Sequence, residues 1–246
     1  MSEPTRSDHP AVKAAANPVA IVTGAGSGVG RRVAVRLSER GWRVALAGRR
    51  ADALRETAEA CAGEPPLIVP TDLATPGAAE DLVARTYSEF GRLDSIINNA
   101  GTAPLVPIGE TTAEMLREVL AVNTVGPGAL IAAGFPLMVA AGAGRIVNVA
   151  SVAVKDPFPG FFAYAASKCA IDSFTRSIEN EGRSHGVRGF TVAPGAIETG
   201  MLRALFPEDA LPATQTLDPD EVADLIAKCA LGERDEDAGK TIYLSA

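Results

Sequence analysis

Four glycines fall within seven residues, Gly24 to Gly30, between the apolar run Val19-Ala20-Ile21-Val22-Thr23 and the segment Arg31 to Leu37. A β-branched run of that length reads as a strand, and the 3.6-residue apolar period that follows reads as a helix. Glycines between them allow a tight turn and a close approach of the backbone to a ligand. The unpaired N–H groups at the start of the helix then become available to phosphates. The strict pattern Gly-x-Gly-x-x-Gly is not met, because its third glycine would fall at Val29. What fits is Thr-Gly-x-x-x-Gly-x-Gly, on Thr23, Gly24, Gly28 and Gly30.

The rest of the chain repeats this strand-to-helix alternation. Period and punctuation predict strands over 19–23, 43–47, 66–70, 94–98, 144–150, 188–193 and 240–244, and helices near 28–40, 51–62, 77–90, 111–140, 163–183 and 219–230. Such alternation gives an α/β fold, a doubly wound, mostly parallel seven-stranded sheet with helices on both faces. Ligands of such sheets bind at the carboxyl ends of the strands, where the strand order reverses. Gly24 to Gly30, Arg49, Asp72, Asn99 and Ser151 all fall at such ends.

A chain of 246 residues can bury one large core, and the alternation runs without a linker, so residues 18–246 read as a single domain. Residues 1–17 are polar and rich in Ala and Pro, and read as a loose tail that is neither a signal peptide nor a membrane span. The apolar stretch from Ala129 to Ala143 is broken by Gly134, Pro136 and Gly142, which favours buried core over a bilayer span. A net charge of −7 argues against nucleic acid as a partner. Cys61, Cys169 and Cys229 form neither a metal-ligand pattern nor a disulfide framework, so no metal is expected and a reducing cytoplasm is. His9 lies in the tail and His185 follows the 163–183 segment, so neither suits a Ser-His-Asp hydrolase.

Tyr164 and Lys168 are four residues apart, and Ser151 lies 13 positions upstream of Tyr164. On a helix that separation stacks the two side chains on one face. An ammonium held there favours the ionised phenol and is expected to pull the tyrosine down from about 10 toward working pH. A phenol so tuned is a general acid or base.

Taken together these residues resemble the short-chain dehydrogenase/reductase family, from about residue 18 to 200. Asn98-Asn99-Ala100-Gly101, Asn123, Ser151, Tyr164 with Lys168, and Pro194-Gly195 with Thr199 match its motifs in order. The resemblance implies a Rossmann-type dinucleotide-binding domain and an oxidoreductase interconverting a carbonyl and a secondary alcohol. Tyr164 would supply or remove the hydroxyl proton, Lys168 would tune it and bind the nicotinamide ribose, and Ser151 would hold the substrate oxygen. Asn123, with Gly126, Pro127 and Gly128 just beyond it, would expose a carbonyl that links the lysine to solvent through water, unless it marks a plain helix kink. Cofactor contacts are implied at Gly24, Ser27, Gly28, Val29, Gly30, Arg49, Arg50, Asp72, Leu73, Asn99, Ala100, Gly101, Tyr164, Lys168, Pro194, Gly195, Ile197 and Thr199. Asp72 fits an adenine contact and a turn-capping residue equally. Asn99, Ala100 and Gly101 would line the adenine ribose, and Ile197 and Thr199 the carboxamide.

The end of the second strand reads Ala47-Gly48-Arg49-Arg50, with glycine where an NAD enzyme usually carries an acid for the ribose hydroxyl. Guanidinium groups there suit a 2′-phosphate, so NADP is favoured over NAD. The other reading of Arg49 and Arg50 is solvated loop charge. Asp52 reads as a cap of the next helix, and Ser27 stands where one family variant has a basic residue.

Two alternatives share the motifs. Nucleotide-sugar epimerases use Tyr-x-x-x-Lys but carry a sizeable C-terminal substrate domain, and only residues 200–246 follow Thr199 here. A non-catalytic NADP-binding sensor or scaffold typically loses the tyrosine or lysine, and this chain keeps both. Many relatives carry an Asp-Gly-Gly segment after the last strand where this chain reads Thr241 to Ala246, unlike the ketoacyl reductases of fatty-acid synthesis. Ile171, Phe174 and Ile178 at helical spacing suggest an association face and a homodimer or homotetramer. A small-molecule substrate is expected between segments 102–108, 152–163 and 196–217. Leu105, Val106, Phe158, Phe161, Phe162, Met201, Leu205 and Phe206, against few charges (Lys155, Asp156, Glu198, Arg203), suggest that it is hydrophobic.

Overall fold

A strand covered on both faces is apolar throughout rather than alternating, and β1 (Val19–Thr23) is buried along its whole length. The structure, a computed structural model, describes residues 17–246, so the expected tail lies outside the described residues except for Asn17. With β2 (Arg43–Gly48), β3 (Leu67–Pro70), β4 (Ser95–Asn98), β5 (Gly144–Val149), β6 (Val187–Pro194) and β7 (Thr241–Leu244), β1 forms a seven-stranded sheet of order β3-β2-β1-β4-β5-β6-β7. Every pairing is parallel. Each expected strand is present to within one residue at either end.

Side chains alternate between two cores, as the pleat requires. Ala20, Val22, Val44, Leu46, Ile97 and Val147 face one core, which α1 (Gly28–Glu39) and α8 (Pro219–Leu231) cover. Ile21, Ala45, Ala47, Ile96 and Ile146 face the other, covered by α3 (Ala78–Phe90), α5 (Gly126–Ala141) and α6 (Phe162–Gly182). The remaining helices are α2 (Ala51–Ala60), α4 (Ala113–Leu120) and the short α7 (Gly200–Leu205), which the sequence pattern does not predict.

The helix expected over 111–140 is α4 and α5 joined by a π-turn, Ala121–Val125. Pro127 has no N–H to close the i→i−4 bond onto the Asn123 carbonyl, so the α-helical ladder must break there. Because the turn continues the rod, Ala113–Ala141 is long and apolar enough to cross a membrane by length and composition, more than the sequence stretch allowed. Only one stripe of α5 is buried, including Leu130, Gly134 and Met138, so it is less buried than expected.

A row of polar side chains runs in register across four strands: Asn98, Asn148, Thr191 and Thr241. Asn98 Nδ2 donates to Asn148 Oδ1 at 2.9 Å, and Asn148 Nδ2 donates to Thr175 Oγ1 of α6 at 2.9 Å. Thr191 Oγ1 adds a bond to Thr175 Oγ1 at 2.7 Å. These groups are buried, so each bond is costly to lose. The row fixes the height of α6 over β5. Ile171 and Ile178 are buried in the same face, and Phe174 packs toward Gly128 of α5. Ile171 and Ile178 of the expected association face are therefore internal packing, and Phe174 is half-buried beside α5.

Candidate active site

A cleft of about 1520 Å³ opens over the carboxyl ends of the strands where the sheet order reverses between β1 and β4. It brings together Gly24, Ser27, Val29, Arg49, Arg50, Asp72, Leu73, Asn99, Ala100, Gly101, Ser151, Tyr164, Lys168, Pro194, Gly195, Ile197 and Thr199. Of the expected site residues, Gly28, Gly30 and Asn123 stand outside the lining.

The glycine turn is shaped for close approach. Gly24 has φ +66°, and a Cβ there would meet Asn99 Nδ2 at 2.8 Å. A Cβ on Gly30 would lie 2.4 Å from the Gly24 carbonyl, so this glycine is required by packing inside the turn. Gly28, at φ +54°, borders a smaller hollow on the outer side of the turn and approaches Thr199. Ser27 caps α1 without a side-chain bond and the first turn carries no acid, which leaves its N–H groups to a phosphate. The turn is braced from β4. Asn99 Nδ2 donates to the Thr23 carbonyl at 2.9 Å, and the Asn99 and Ala100 amides both reach Thr23 Oγ1 at 3.0 Å. Asn99 thus lines the cleft with its side chain engaged in holding the turn.

Arg31 and Arg32, just after the turn, pair with Glu56 and Asp220. Among the described residues, neither Arg49 nor Arg50 pairs with a carboxylate, and both are exposed at the cleft. Arg50 is the N-cap of α2 and Asp52 bonds Arg55 instead, which corrects the expected cap. Asp72 Oδ1 accepts from the Ala74 amide at 3.0 Å, so it closes its own turn as well as lining the cleft.

At the centre, Ser151 lies two residues past β5, capping a short 3-10 turn over Val152–Val154, and Tyr164 and Lys168 project from the first turns of α6. Lys168 Nζ is buried and donates to the Val149 carbonyl at 2.7 Å. Burial pulls its pKa down to about 8. Tyr164 is pushed above the usual tyrosine value by burial, and the adjacent Ser151 hydroxyl only partly offsets this. The expectation that Lys168 lowers the phenol is thus corrected for this arrangement: desolvation outweighs any charge effect. Ser151 Oγ also accepts from the Ala153 amide at 3.2 Å. Asn123 is buried behind the pair, its Oδ1 accepting from the Thr102 amide at 2.8 Å and its Nδ2 donating to Thr102 O and Ser167 Oγ.

The far end of the cleft is apolar. Val106, Phe158, Phe161, Met201, Leu205 and Phe206 line it, whereas Leu105 and Phe162 do not, in contrast to expectation. Arg203 pairs with Glu198 and donates to the Leu211 carbonyl at 2.7 Å, while Lys155 sits 3.6 Å over the Tyr243 ring. Those charges are engaged with protein; Asp156 remains in the lining. The sequence reading missed Met115, Arg117 and Glu118 of α4, and also Ser167. α4 is clearly amphipathic, but that period does not say which of its exposed residues border a cleft, and Ser167 carries no signal beyond its place one residue before Lys168.

The family model for short chain dehydrogenases matches residues 18–210. An uncharacterized oxidoreductase of Staphylococcus aureus (strain N315) is 31% identical over 208 residues, covering 85% of this chain and 88% of the relative. The 2-(R)-hydroxypropyl-CoM dehydrogenase of Xanthobacter autotrophicus is 40% identical over 189 residues, covering 74% of this chain and 76% of the relative. Among solved structures, levodione reductase superposes with a TM-score of 0.86 at 27% identity, over 93% of this chain and 96% of that one. A short-chain type dehydrogenase/reductase from Mycobacterium marinum gives a TM-score of 0.87 at 26% identity, over 93% and 94%.

Proposed function

The chain belongs to the short-chain dehydrogenase family, and from that premise we propose that it interconverts a hydrophobic secondary alcohol and its carbonyl with NADP(H). The observation that carries this reading is the meeting of Ser151, Tyr164 and Lys168 between a glycine-turn half of the cleft and an apolar half. When bound, the nicotinamide nucleotide supplies the acceptor or donor of hydride; the balanced reaction is alcohol plus NADP⁺ to carbonyl, NADPH and a proton.

In this reading the Tyr164 phenol exchanges the proton at the substrate oxygen. Ser151 donates a hydrogen bond to that oxygen and fixes its distance from the phenol. Lys168 binds the nucleotide's ribose and lends positive charge to the phenolate, and Asn123 holds the Thr102 segment and the start of α6 together behind it. Gly24, Ser27, Gly28 and Val29 give the pyrophosphate a backbone cradle, while Pro194, Gly195, Ile197 and Thr199 border the carboxamide. Arg49 and Arg50 support NADP over NAD, because they stand beside Gly48 and, among the described residues, neither pairs with a carboxylate. The relative named for a 2-hydroxypropyl group supports a secondary alcohol.

The protein is also read as a cytoplasmic homodimer or homotetramer. The half-exposed apolar side of α5, with Val125 of the π-turn just before it 64% exposed, is the surface that supports association now that α6 offers none at Ile171 and Ile178. Light scattering at micromolar concentration tests it, and a monomer refutes it. Turnover itself is tested with ketones and secondary alcohols of graded apolar bulk, assayed with NADPH and NADP⁺. Absence of turnover across the panel refutes the enzyme reading.

A further inference from the structure

We infer that Phe161 selects the substrate, and that the group it selects is a planar, uncharged aromatic ring carried beside the reacting carbon. The inference rests on the reading of this cleft as a carbonyl/alcohol site and names what its apolar half recognises.

Two segments distant in sequence, at Val106 and at Phe206, converge on this residue, and Tyr164 packs on it from the next helical turn. Val106 pairs with Phe161 in an isolated parallel bridge, and its amide donates to the Gly160 carbonyl at 2.9 Å. Gly160 holds φ +88°, a conformation that other residues rarely adopt, so that glycine and its bond to Val106 set the backbone before Phe161. Phe206 approaches from the 196–217 segment with its ring 6.3 Å away and nearly perpendicular, at 80°. The Tyr164 ring lies 5.2 Å from that of Phe161 and is tilted by 51°. Arg203 steadies Phe206 by donating to its carbonyl at 3.3 Å.

The result is a three-ring corner that includes the phenol assigned to proton exchange. Aromatic rings prefer tilted and edge-on neighbours at about 4.5–7 Å between centroids, which is the spacing already present here. A substrate ring entering the corner presents a flat face and electropositive edges to these rings, which a saturated ring of equal size does not. An anionic group in the same place would lose its hydration against the three rings, and the nearby Arg203 guanidinium is already spent on Glu198 and on the Phe206 and Leu211 carbonyls.

The test compares phenylacetone with cyclohexylacetone, whose carbonyls are alike and whose rings differ in planarity. The parent enzyme is expected to favour phenylacetone by about tenfold in kcat/KM. Phe161→Leu should bring that ratio to within about twofold while NADPH affinity, read by fluorescence titration, stays as in the parent. Phe161→Tyr should retain the preference, and Phe206→Leu should weaken it independently should the first variant fold poorly. Equal kcat/KM for both ketones in the parent, or a ratio that survives in Phe161→Leu, overturns the inference and leaves the apolar-carbonyl reading standing. Turnover of neither ketone overturns that reading and the inference with it.

Discussion

Lys168 donates its ammonium to the Val149 carbonyl at 2.7 Å while lying 5.8 Å from the centre of the Tyr164 ring. Its hydrogen bond is therefore made to the end of β5 and not to the phenol four residues before it. Both groups are governed by burial, which moves the phenol up and the ammonium down to about 8. The ammonium thus faces the Tyr164 ring while its hydrogen bond goes to the strand.

Lys168→Met should stabilise the protein at neutral pH while abolishing turnover. The folded value of about 8 lies below the ordinary lysine value of about 10.4, so the unfolded chain binds more protons between them. Stability therefore rises with pH across that window, and below it the full cost of burying the charge is present. Removing the ammonium should add on the order of 1–2 kcal/mol at pH 7, net of the lost Val149 bond, with the gain fading above about pH 10. Urea unfolding at the two pH values measures it, and a variant less stable than the parent at pH 7 contradicts it.

Arg49→Ala should lower NADPH affinity at least tenfold, about 1.4 kcal/mol, and barely change NADH affinity. Fluorescence titration of both nucleotides decides. Equal affinities in the parent protein would dismiss the NADP assignment.

Thr175→Val should slow turnover through α6. It removes the oxygen that receives Asn148 Nδ2 and Thr191 Oγ1, leaving a buried amide unsatisfied at a cost of about 1–3 kcal/mol. A fall in kcat of about five- to tenfold with KM little changed, reversed by Thr175→Ser, is expected from loss of positioning. A change confined to melting temperature would show that the row only stabilises.

Much of this arrangement is legible in the chain because it depends on local pattern. Strands covered on both faces leave unbroken apolar runs such as Val19–Thr23, and Tyr164 with Lys168 declares a shared helical face. Pairing partners are less legible. Ile171, Phe174 and Ile178 mark an apolar face of α6, but spacing alone does not say whether the sheet or a second subunit covers it. The Tyr164 shift depends on how deeply α6 sinks against β5, which is set by the Asn98–Asn148–Thr175 row, contributed by residues 27 and 50 positions apart. The six-residue α7 is too short for a helical period to register, and Asp72 reads alike whether it closes a turn or meets a ligand.

In the proposed mechanism the Tyr164 phenol carries the substrate proton. Single-turnover reduction of phenylacetone by Tyr164→Phe, loaded with saturating NADPH and followed by loss of nicotinamide absorbance, tests it most directly. The hydride-transfer rate is predicted to fall at least about a thousandfold while NADPH affinity stays within about twofold of the parent, because the ring still packs on Phe161 and only the proton is lost. A variant that keeps most of the parent rate would contradict the account.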